Sequence, residues 1–472
     1  MRPLLASALG ATLIAVFATM SRDAAAVDLP YKRAVLSNGL TVIVHEDHAL
    51  PTVAVNVLYR VGSRDEEAKR TGFAHLFEHL MFMGTTRVPL KMFDAHMEAA
   101  GGSNNAWTSS DQTDYHEVGP PGSLALLLWL EADRLETLGR EIDLPKLDLQ
   151  RDVVRNERRQ TSENTPYGKV ELRLPELLYP EGPPYHHPVI GSHEDLEAAR
   201  VDDVRAFFAK HYVPKNASLV VAGDVRADEV VKLADRYFSA IPGGEKPQRT
   251  GRMDPPRIGS VVRETLTDNV ELAKIIVAYH SPAHFAEGDA DMDIFASAIA
   301  SGKASRLYKA LVYDKPLAQS VVAVQESQDL SSIFRIEVIA RPETSLDDLE
   351  KALDVVLDEA LRKPPTPAEM SRAKNELEHA FVARLQSMPA RASLMNQYEA
   401  AFGEPNAVEQ DLARYRRATA AGVLGWAKKT LTKESRVIVR VIPKPKEGVP
   451  VGAKTPGARL PKPKKTEKAG AK

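Results

Sequence analysis

The sequence contains no cysteine. That excludes disulfides, thiolate catalysis, cysteine-ligated zinc and lipoprotein acylation, so a metal could be held only by His, Asp or Glu. Net charge is nearly absent as well. The 62 Lys and Arg residues against 64 Asp and Glu leave a formal charge of −2, which gives no general argument for nucleic-acid binding or for acidic substrates. Beyond Met20 no apolar run approaches the roughly 18 residues of a membrane span.

What is present is the composition of a soluble globular protein, 43% hydrophobic and 27% charged over 472 residues, long enough for two or three domains. The first 26 residues read as an export signal. Arg2 supplies a positive start, Leu4 to Met20 an apolar core, and Ala24-Ala25-Ala26 the small residues of a cleavage site. Cleavage near Ala26 would release the mature chain into the periplasm or outside the cell, with no stable membrane span; the alternative is an uncleaved anchor. Residues 443–472 are rich in Lys, Pro, Gly and Ala with few large apolar side chains, the composition of a disordered basic tail. A Pro-, Gly- and charge-rich stretch at 241–258 reads as a linker. It separates residues 27–240 from residues 259–442.

The two segments follow one plan. Strand patterns at 41–45 and 52–61 precede a helix at 71–83, a β-rich stretch at 102–118, and helices at 123–138 and 144–163. The second segment repeats this with a strand at 273–280, a helix at 292–300, strands at 320–326 and 332–340, and helices at 345–361 and 366–387. Strands and helices come in blocks, so the expectation is an α+β protein of two homologous halves.

The sharpest chemical signal is HLFEH at residues 75–79. His75 and His79 stand four apart on a helix and share a face, so both imidazoles can reach one ion. Glu78 falls beside them, placed to take a proton from a metal-activated water. The order is H-x-x-E-H, the reverse of the commoner H-E-x-x-H. A hydrolytic zinc wants a third protein ligand and an open position. Spacing leaves Glu98, Glu117, Glu131, Asp133 and Glu157 as candidates.

Several stretches together resemble the inverzincins, the group of pitrilysin, insulysin and the mitochondrial processing peptidase. They are LSNGLTVIVHED, AHLFEHLMFMGT, GGSNNAWTSSDQTDY, RDVVRNERRQTSENTPYG, HHPVIGSHEDL and FFAKHYVPKNASLVVAGDV. The resemblance extends to about Ile442. It implies a mainly antiparallel sheet packed with helices in each half, a clam-like chamber, and a zinc endopeptidase acting on unfolded peptides. It assigns His75, His79 and Glu157 to one zinc, Glu78 to the general base, and Asn105 and Ala106 to a strand that pairs with the substrate backbone.

Two departures stand out. Gln150 replaces a Glu that the family usually has near the zinc Glu. In the second half, Gln319 falls where a Tyr is expected, and Val312 or Tyr313 where an Arg is expected. Asp293, Ala296 and Ser297 occupy the positions of the zinc motif. The resemblance therefore points to a zinc-bearing subunit completed by a zinc-less paralogue in a heterodimer, or by a second copy. The rival reading is a non-catalytic binding or assembly subunit. His186, His187 and His193 read as structural. Trp107 reads equally as a substrate-strand or a packing residue.

Overall fold

The computed structural model describes residues 28–182, 184–251 and 258–445. The segment read as an export signal, the middle of the expected linker and the tail beyond residue 445 lie outside the described residues. Among the described residues eleven strands form two sheets. The first holds β1 (Lys32–Val35), β2 (Thr41–Glu46), β3 (Val53–Tyr59), β4 (Ser103–Thr108), β5 (Thr113–Gly119) and β6 (Ala217–Gly223), in the order β1-β2-β6-β3-β5-β4. The second holds β7 (Val262–Asp268), β8 (Lys274–Ser281), β9 (Ala318–Glu326), β10 (Ser332–Ala340) and β11 (Val437–Pro443), in the order β7-β11-β8-β10-β9.

Leaving β1 aside, the two orders are the same. Each half opens with a strand that pairs in parallel with its last strand, β2 with β6 and β7 with β11. All other pairings are antiparallel. A helix follows the central strand in each, Phe73–Leu80 after β3 and Asp289–Ala300 after β8. The protein is α+β with two homologous halves. Strand β3 reads VAVNVLY and is buried on both faces, which explains its near-continuous apolar run.

One face of the first sheet packs against the helices of its own half, through Val53, Val55, Val57 and Tyr59. Its other face, with Ile43, Ala54, Val220 and Ala222, is covered by the Met388–Phe402 helix of the second half. The exchange is mutual: the Lys169–Leu178 helix of the first half covers Ile276, Ala278, Val437 and Val439 of the second sheet. Polar ties accompany the exchange. Asn396 donates to the Asn56 carbonyl oxygen at 3.0 Å, and Arg33 pairs with Glu399 at 2.8 Å. Among the described residues no helix is long and apolar enough to cross a membrane.

Candidate metal centre

The Phe73–Leu80 helix sits on the first sheet through Phe73, Leu76, Phe77 and Leu80, all buried. Its apolar stripe faces the core, and the remaining face carries His75, Glu78 and His79. Its start is fixed from outside. Gly72 has φ +88°, and a Cβ there would meet the Ile190 carbonyl oxygen at 2.8 Å, so only glycine fits. The helix has no side-chain N-cap of its own. Instead the buried Glu66 carboxylate accepts the N–H groups of Gly72 at 2.9 Å and Ala74 at 2.7 Å, and Asp195 accepts from the backbone and hydroxyl of Thr71. These bonds satisfy donors that a helix N-terminus leaves open.

Glu157 lies on the Leu144–Arg158 helix, which packs beside Phe73–Leu80. Its carboxylate oxygens stand 3.7 Å from His75 Nε2 and 3.2 Å from His79 Nε2. Among the described residues these three are the one group of His, Asp and Glu able to hold an ion, with ligand atoms all within 4.8 Å of one another. An ion bonded at about 2.0–2.1 Å to tetrahedrally placed ligands needs them about 3.4 Å apart. The two separations from Glu157 bracket that value, and the donor set of two imidazoles and a carboxylate suits a divalent metal such as zinc.

The electrostatics differ from residue to residue. Burial, then the neighbouring His79, brings the His75 imidazole down to about 4, so its ring is neutral with a lone pair to give. Burial also opposes charge on His79, but the Glu157 hydrogen bond and charge outweigh it and raise His79. The same hydrogen bond lowers Glu157. Burial raises Glu78, against a hydrogen bond from Thr108 Oγ1 to Glu78 Oε2 at 2.5 Å.

That bond ties the helix to β4, which is an edge strand bonded only to β5. Asn105 and Ala106 lie on β4, opposite His116 and Tyr115, and Asn105 Oδ1 accepts the Ala106 N–H at 2.9 Å. Gln150 is half-buried on the Glu157 helix and donates to Met83 Sδ at 2.8 Å. Trp107 lines a cleft between the halves.

The other acids open to the third position are used elsewhere. Glu117 and Glu131 are buried on either side of Arg134, Asp133 pairs with Arg87, and Glu98 is exposed. His186 bonds to the Tyr179 carbonyl oxygen at 2.6 Å, and His193 to Glu163 at 2.9 Å. In the second half Asp293 accepts from Tyr415, and Ser297 donates to Glu376 on the Pro367–Arg384 helix. Gln319 is exposed on the edge strand β9, and Tyr313 is 78% exposed. Sequence reasoning did not single out Thr108 or Asp195, whose partners lie far along the chain, nor Glu66, whose short loop back onto the helix start has no motif of its own.

Residues 41–180 match the family model described as Insulinase (Peptidase family M16), and residues 198–377 that described as Peptidase M16 inactive domain. The chain is 30% identical to the zinc protease PqqE of Helicobacter pylori over 77% of its own length and 82% of that protein. It is 28% identical to an uncharacterized zinc protease of Mycobacterium tuberculosis, covering 87% of this chain and 93% of the relative. A solved structure of a protease from Helicobacter pylori superposes with a TM-score of 0.81 at 26% identity, over 88% of this chain and 100% of that one. Fold and comparisons alike define a protein of two homologous halves built on the plan of the M16 peptidases. The chain belongs to peptidase family M16, the inverzincins.

Proposed function

We propose that this chain is a zinc-dependent endopeptidase or oligopeptidase that hydrolyses unfolded peptides. The observation that carries this reading is the convergence of His75, His79 and Glu157, with Glu78 beside them and an open strand edge alongside. One Zn²⁺ held by those three residues would supply a Lewis acid and lower the pKa of water to about 7. Glu78 accepts the proton of the attacking water and passes it to the leaving amine nitrogen. Asn105 and Ala106 lie on β4 where a peptide backbone can pair, which favours extended chains over folded ones. Gln150 steadies the zinc-bearing helices without adding charge.

A zinc-less paralogue, or a second copy, completes the site. Support comes from the second half, where Gln319 stands in place of the expected Tyr and Val312 or Tyr313 in place of the expected Arg. The segment at 1–26 supports export to the periplasm or the cell exterior. The test is peptide hydrolysis by the chain alone and with its paralogue, against a Glu78→Gln control. Loss of cleavage with zinc retained supports the enzyme. Cleavage surviving in Glu78→Gln removes Glu78 from the role of general base, and cleavage absent with every partner leaves the binding-subunit reading.

A further inference from the structure

The cleft beside Trp107 encloses about 440 Å³ between the halves. Trp107 and Thr108 are neighbours on β4, so their side chains leave opposite faces of the sheet. Thr108 reaches Glu78 on the metal face; Trp107 lines the cleft on the other. A peptide added along the open edge of β4 would therefore alternate its side chains between the metal centre and this cleft.

The charges in the cleft are unevenly matched. Asp111 accepts from Arg64 at 2.8 Å and from the Tyr185 hydroxyl at 2.5 Å. Glu326 pairs with Arg335 at 2.6 Å, Asp329 approaches Arg64 at 3.4 Å, and Arg249 pairs with Asp65 at 3.0 Å. Arg60, at the end of β3, differs. Among the described residues its guanidinium makes one hydrogen bond, to the Glu399 carbonyl oxygen at 3.2 Å, and no ion pair. Glu399 itself is engaged by Arg33. A guanidinium carries five N–H donors in a fork that fits a carboxylate. Burial, with the nearby Arg249, weighs against the Arg60 charge and outweighs the support of Glu399 and Asp329, and Arg60 in turn lowers Lys246. An anion entering here would relieve both.

We infer that this cleft is a substrate subsite in which Arg60 binds a carboxylate of the peptide lying along β4. The inference rests on the peptidase reading above and specifies its substrate class. Two sources offer that group: an Asp or Glu side chain on the cleft-facing side of the peptide, or the peptide's C-terminal carboxylate.

The experiment measures binding of fluorescent ten-residue peptides to zinc-loaded, full-length Glu78→Gln protein, and cleavage of the same peptides by the unsubstituted chain. One set compares a free C-terminus with its amide. The other, with both ends blocked, moves a Glu or a Gln through each position. One carboxylate source should bind at least about tenfold tighter than its neutral counterpart, and Arg60→Gln should remove the difference while leaving the affinity for neutral peptides. Should Arg60→Gln fail to fold, the peptide comparison on the Arg60 protein decides alone. Cleavage and binding with no carboxylate preference, or a preference that survives Arg60→Gln, overturns the subsite and leaves the peptidase reading intact. Absence of both binding and cleavage, with the paralogue present, overturns both.

Discussion

The Thr108 hydroxyl donates to the Glu78 carboxylate at 2.5 Å, joining the edge strand to the helix that carries both histidines. Burial raises the Glu78 carboxyl, and this bond works against that shift by favouring its ionised form. It also holds the base against the strand where a peptide would pair. Thr108→Val removes the donor and keeps the shape. The expected result is a fall of about tenfold or more in kcat/KM, with the acidic limb of its pH profile moved to higher pH and the melting temperature little changed.

Glu157 projects from a helix that packs beside the histidine helix through other residues as well, so its removal should separate metal affinity from folding. Glu157→Gln keeps the size of the side chain and drops its charge. Zinc should bind at least about 10–100-fold more weakly, a loss of the size seen for supporting changes around metal ligands. Circular dichroism should be unchanged. Equilibrium dialysis gives the affinity directly.

How much of this site was legible beforehand differs residue by residue. The HLFEH pair is a local pattern, because one helical turn places its two imidazoles on one face whatever surrounds them. The third ligand is not local. Glu117 and Glu131 were as eligible by spacing, and only the fold shows that Arg134 occupies both. Family resemblance, rather than periodicity, singled out Glu157. The duplicated strand order was foreshadowed by the repeated strand and helix patterns. The exchange of helices was not. The Met388–Phe402 helix buries Met388, Ala392, Ser393, Leu394, Met395, Asn396, Tyr398 and Glu399, polar and apolar residues together, so it shows no clean stripe to read.

That exchange gives a prediction about the halves. Residues 28–251 alone would expose Ile43, Ala54, Val220 and Ala222, which the Met388–Phe402 helix covers. Exposed apolar faces of this kind drive association. The first half should elute from size exclusion as aggregate, and co-expression with residues 258–445 should restore a soluble complex. A soluble, monomeric first half would show that the exchanged helix is dispensable.

Asp293 stands in the second half at the place corresponding to His75. Burial, then the nearby Asp289, raises its carboxyl to about 7, against a hydrogen bond from Tyr415 and the charge of Arg414. An acid with a raised folded pKa contributes its full share of stability below its unfolded pKa of about 3.9. That share declines as pH rises toward about 7. Asp293→Asn keeps an acceptor for Tyr415 and removes the titration. The variant should match the parent near pH 4 and exceed it at pH 8, by on the order of 2–4 kcal/mol. Thermal melts across that range read the difference; a constant offset at all pH values would contradict the assignment.

The central claim is that His75, His79 and Glu157 together hold one zinc ion. Metal analysis of the purified full-length chain, alongside His75→Ala and Glu157→Ala proteins of unchanged circular dichroism, tests it most directly. The account predicts close to one zinc per parent chain and little or none in either variant. Zinc retained at full occupancy in both variants, or a zinc-saturated parent that holds none after dialysis, would contradict it.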